Sequence, residues 1–106
     1  MRFIMIVAAM LLAVPAQAFD PEPWQTKSVE AVMGFGKIKR AEWSQNLSLW
    51  VFAYTDETDW GAAGDMLCKA LNGAGKPDGQ LAIITIWDYQ ASQSGNLNQL
   101  GKLPCY

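Results

Sequence analysis

Residues 47–89 read as strand, helix, strand, and that unit limits what the rest of the chain can become. Its flanks, 47–54 and 81–89, are rich in the β-branched and aromatic side chains that suit a pleated surface. Between them Trp60, Ala63, Gly64, Leu67, Cys68 and Leu71 recur at helical spacing, so one stripe of a helix faces inward. Thr55 and Asp59 offer side-chain oxygens to the first free N–H groups of that helix, which is expected to run from about Asp59 to Leu71. Asn72 and the glycine-rich stretch up to Gly79 end it. A crossover of this length favours parallel pairing of the two strands.

Both strands are apolar on both faces. Leu47, Leu49, Val51 and Ala53 oppose Trp50, Phe52 and Tyr54; Leu81, Ile83, Thr85, Trp87 and Tyr89 oppose Ala82, Ile84 and Ile86. Strands of this kind normally lie in the middle of a sheet and are covered on both sides. Residues 37–45 alternate with few apolar positions on either face, which suits an edge strand, its lysines blunting the free edge. Asn46 supplies a tight turn into the next strand, so a hairpin precedes the crossover. Trp24, Val29, Val32 and Met33 form a partial helical stripe stopped at Gly34 and Gly36. Residues 90–96 are polar, and Leu97, Leu100 and Leu103 then recur every three residues, as in one or two helical turns. The expected fold is a small single α+β domain over residues 24–106. It has a roughly three-stranded mixed sheet (the hairpin plus the strand–helix–strand crossover), one main helix and short terminal helices.

Residues 1–18 stand apart. Arg2 gives a positive start, residues 3–14 are apolar, and Ala16-Gln-Ala18 has the small-x-small pattern accepted by signal peptidase. The apolar run is shorter than the roughly 20 residues that span a bilayer. Cleavage after Ala18 is expected, with residues 19–23 a mobile leader carrying two prolines. The product is then periplasmic or secreted and has no membrane attachment. Domains this short bury only about 60–65% of their unfolded surface, and exported ones often add a covalent staple. Cys68 and Cys105 are the two cysteines of the chain, so one disulfide between them is expected.

The net charge of −2 becomes one unit more negative when Arg2 leaves with the signal peptide. With no basic run beyond Lys37 to Arg40, the composition argues against nucleic acid as a partner. The chain has no histidine, which removes the commonest general base and metal ligand. The cysteines are too far apart for a zinc or C-x-x-C site, and Gly34-x-Gly36 lacks the rest of a dinucleotide fingerprint. Asp56, Glu57, Asp59 and Asp65 gather near a helix start, which complements the helix dipole; no calcium-loop pattern accompanies them. These absences point away from an enzyme, and no cofactor or metal is expected.

The aromatic residues are the positive lead. Trp43, Trp50, Phe52, Tyr54, Trp87 and Tyr89 are dense for so small a domain and form the candidate interaction face. The small residues 61–64 suit packing of the crossover helix onto Leu49, Val51, Ile84 and Ile86. The aromatic side is then left to a terminal segment or to another molecule. The leading expectation is a protein partner or self-association, as in an inhibitor, an accessory subunit or a homodimer. The alternative is a small-ligand or carbohydrate binder, with Asp88, Gln90 and Gln93 as polar contacts beside the rings.

Overall fold

Two helices and a sheet share one apolar core in the computed structural model, which describes residues 20–55 and 59–106. The expected signal peptide, residues 1–18, and two of the clustered acids, Asp56 and Glu57, lie outside the described residues. Helix α1 (Pro23–Met33) leads into a hairpin of β1 (Ile38–Gln45) and β2 (Ser48–Ala53). Helix α2 (Trp60–Gly73) crosses to β3 (Ala82–Asp88); a single-turn α3 (Tyr89–Gln93) and β4 (Gln99–Cys105) follow. Among the described residues the sheet has four strands in the order β1-β2-β3-β4. Its outer pairs are antiparallel and the central pair, β2 with β3, is parallel. The chain is a small compact α+β domain with one mixed sheet.

The fourth strand corrects the expected three-stranded sheet. Residues 99–105 pair antiparallel with β3 from Ala82↔Cys105 to Trp87↔Gln99, with a register shift after Ile86. Spacing by three reads as helix only if the segment is regular. Here the shift leaves Leu100 without a partner of its own, and Pro104, which lacks an N–H, is tolerated on an edge strand. The polar stretch after β3 also contains a helical turn, which begins one residue beyond Asp88. Helix α1 begins at Pro23, the last position of the expected leader, where a missing N–H costs nothing.

The sheet face carrying Leu49, Val51, Ile84 and Ile86 packs against Val32 of α1 and Leu67 and Leu71 of α2, all fully or almost fully buried. Gln25, itself completely buried, ties α1 to the hairpin. Its Nε2 donates to the Asn46 carbonyl at 2.7 Å, and its Oε1 accepts from the Glu22 N–H at 2.7 Å. The Trp43 indole N–H donates to the Gln25 carbonyl at 2.9 Å. Helix α2 is capped by Asp59, whose Oδ1 accepts from the N–H groups of Gly61 and Ala62 at 3.0 and 3.3 Å.

Cys68 on α2 and Cys105 on β4 form a disulfide. One turn before Cys68, a Cβ on Gly64 would stand 2.7 Å from Leu103 Cδ2 and 2.9 Å from its Cδ1. A Cβ on Gly73 of the same helix would meet nothing within 4 Å. Gly64→Leu is therefore expected to cost about 1–3 kcal/mol through overpacking, whereas Gly73→Ala gains up to about 1 kcal/mol of helix propensity. Urea unfolding of the two variants checks this contrast.

Candidate functional site

Alternation in the strands sends Trp50, Phe52, Thr85 and Trp87 to the face opposite Leu49, Val51, Ile84 and Ile86. Among the described residues, neither α1 nor β4 lies across that face. Helix α1 packs on the other side, through Trp24, Gln25 and Val32, and the C-terminal segment is itself an edge strand. Among the described residues the two long helices, α1 and α2, thus lie on one side only, whereas strands apolar on both faces are expected to be covered on both. On the aromatic side Phe52 and Thr85 are nevertheless 1% and 4% exposed, and the short α3 touches the central strands.

The rings brought together are Trp50, Phe52 and Trp87. Trp50 and Trp87 meet edge to face with centroids 5.1 Å apart, and Trp50 and Phe52 do so at 6.3 Å. Trp50 and Trp87 are half-buried, while Phe52 is 1% exposed. Tyr54 and Tyr89 meet edge to face at 5.7 Å beyond the ends of β2 and β3, with Tyr54 40% exposed. Trp43 does not belong to this group. It pairs with Leu49 across the hairpin, stacks edge to face on Trp24 at 5.4 Å and packs against the main core.

Charged residues frame the rings. Arg40 Cζ lies 4.0 Å from the centre of the Phe52 ring, and Lys39 Nζ lies 4.9 Å from that of Tyr54. Arg40 Nε and Glu42 Oε1 form an ion pair of 3.3 Å, with both side chains half exposed. Such a pair adds little to stability. Its importance is positional, since alternation places Glu42 on the aromatic side of β1, opposite Trp50. On β4, Lys102 stands opposite Thr85 and Gln99 opposite Trp87.

Of the polar residues expected beside the rings, Gln90 and Gln93 are exposed and Asp88 serves another purpose. Asp88 Oδ1 accepts from the Gln90 N–H at 3.0 Å and caps the short α3. Desolvation pushes this carboxyl up, but hydrogen bonds from Thr55, the Ala91 and Gln90 backbone and Asn98 outweigh it and hold it below its ordinary value. A carboxyl depressed in the fold stabilises it while ionised. Its contribution is complete above the ordinary aspartate range, near about 4, and disappears as pH falls through the lower folded value. The stability gap between the parent and Asp88→Asn is therefore expected to stay constant near neutral pH and close in acid. Urea unfolding of both proteins across pH 2–7 measures it.

A separate apolar cavity of about 130 Å³ lies on the helix side, lined chiefly by Phe35, Ile38, Trp60, Ala63, Met66 and Leu67. It is smaller than the roughly 300 Å³ at which sites for drug-sized ligands begin. No group of three or more His, Cys, Asp or Glu residues that could hold a metal ion occurs among the described residues. Comparison with protein-family models, curated proteins and solved structures returned no match, so the reading of the aromatic face rests on its own geometry.

Proposed function

We propose that this is a small exported, non-enzymatic protein that acts through protein–protein interaction, with a different protein or with itself, at the aromatic face of its sheet. The observation that carries the reading is the asymmetry of the two faces. Helices α1 and α2 pack on one side, while Trp50, Phe52 and Trp87 cluster on the other, away from both. Aromatic anchors within a rim of Arg40, Glu42, Lys102 and Gln99 follow the anatomy of protein interfaces, where Trp, Tyr and Arg carry much of the binding energy. Export rests on the leader-like residues 1–18, and the Cys68–Cys105 disulfide suits an oxidising compartment. No helix among the described residues is long and apolar enough to cross a membrane.

The edge-to-face packing of Trp50 and Trp87 also favours a protein over a sugar, because stacking on a sugar needs a free ring face. Asp88, the nearest carboxylate in sequence to those rings, is engaged in capping. A photo-crosslinking amino acid placed at position 50 in cells tests the proposal, with position 69 on the exposed side of α2 as the comparison. A discrete protein adduct from position 50 alone is expected. No adduct from position 50, or the same adducts from both positions, would overturn the reading.

A further inference from the structure

The partner of this face can be read from the order of side chains across the sheet. Glu42 on β1 stands opposite Trp50 on β2, Trp50 opposite Thr85 on β3, and Thr85 opposite Lys102 on β4. All four project to the aromatic side, and they form the middle row of that face. From edge to edge the row reads anion (Glu42, paired with Arg40 of its own strand), large ring, small side chain (Thr85, 4% exposed, the floor of the row), cation. A two-fold axis lying parallel to the strands, between β2 and β3, reverses this order in a facing copy. Glu42 then lies over Lys102 of the second copy, and the Trp50 ring lies over the small Thr85 of the second copy. The next row, Arg40–Phe52–Trp87–Gln99, brings Phe52, with the Arg40 guanidinium on its ring, over Trp87 of the second copy under the same operation.

Resting on the aromatic face as an interaction surface, we infer that its partner is a second copy of this chain, held as an isologous dimer by sheet-on-sheet packing with crossed Glu42–Lys102 contacts. Sheets of this kind stack about 10 Å apart, which leaves room for interdigitating rings. An isologous contact needs a surface that complements itself, and this row does so in both charge and size. The size of the face sets the strength. Four strands about 4.8 Å apart and six residues of about 3.3 Å give roughly 400 Å² in plan per copy. Two copies give roughly 800 Å², within the class of reversible interfaces below about 1,200 Å². The dimer is accordingly a concentration-dependent one.

Sedimentation equilibrium of protein expressed as the full chain and purified from the cell envelope tests the inference. The parent should form dimers reversibly. Glu42→Lys and Lys102→Glu should each weaken dimerisation by on the order of tenfold or more, since each sets like charges against one another across the interface. Both positions are exposed, and circular dichroism verifies that the variants are folded. The decisive sample is an equimolar mixture of the two variants, in which every crossed contact is again between opposite charges. Recovery of dimer in the mixture supports the inference. A monomeric parent up to several hundred micromolar, single variants that dimerise as the parent does, or a mixture that stays monomeric would each overturn it. A monomeric parent that still gives a discrete adduct with another protein from position 50 would remove the second copy and leave the aromatic face in place. Loss of that adduct as well would remove both.

Discussion

Replacing Cys68 and Cys105 together by alanine is expected to lower the unfolding free energy by about 4 kcal/mol. The bond joins positions 37 residues apart, and releasing a loop of that length restores about this much conformational entropy to the unfolded chain. Small domains have only about 5–15 kcal/mol in total, so the loss is a large fraction of the whole. The location of the bond adds a local consequence. In β4 only Cys105 is buried, while Gln99, Lys102 and Pro104 are exposed and Leu100, Gly101 and Leu103 half-buried. With so little apolar burial of its own, the strand depends on the staple and on the close approach of Leu103 to Gly64. Denaturant unfolding gives the global value. Amide exchange should show 99–105 opening well before 48–53 in the reduced protein. Equal stability with and without the bond would mean that β4 is held by other contacts.

Phe52→Ala should cost about 3–5 kcal/mol, the range for emptying a filled aromatic site. Although Phe52 belongs to the aromatic face, it is 1% exposed, sealed by the Arg40 guanidinium above its ring and by Trp50 at its side. The face therefore has a structural floor as well as an outer layer. Phe52→Leu retains most of the volume and is expected to lose less than half as much. Urea unfolding of the two variants separates the cavity from the loss of the ring itself.

Much of the fold was legible because the relevant signals are local. Helical spacing from Trp60 to Leu71, the capping Asp59 and two strands apolar on both faces led directly to the parallel β2–α2–β3 unit. The sparse apolar pattern of residues 37–45 placed β1 at an edge, where it lies. What failed depended on register. The spacing of Leu97, Leu100 and Leu103 resembled a helix because a shift in pairing interrupts strand alternation at Leu100, and neighbouring positions alone do not reveal that shift. Trp43 joined the wrong face for a related reason. Its side of the sheet is set by the hairpin pairing with Leu49 and by the buried Gln25, whose role is tertiary. Arg40, Glu42 and Lys102 are not recognisable as a set in the sequence, because they become neighbours of the rings only when four strands are aligned. The alternation of Trp50 across the hairpin points to Glu42, whereas Lys102 joins the rings only through β4.

The most direct measurement is the unfolding free energy and the association state of Trp50→Ala, taken on the same sample by urea titration and sedimentation. Trp50 is half-buried and its ring rests on Phe52 and Trp87, so its removal from the face turned away from α1 and α2 should cost only about 1–2 kcal/mol while abolishing association. A loss of 3–5 kcal/mol with assembly unchanged would be the signature of an ordinary core residue and would contradict the account.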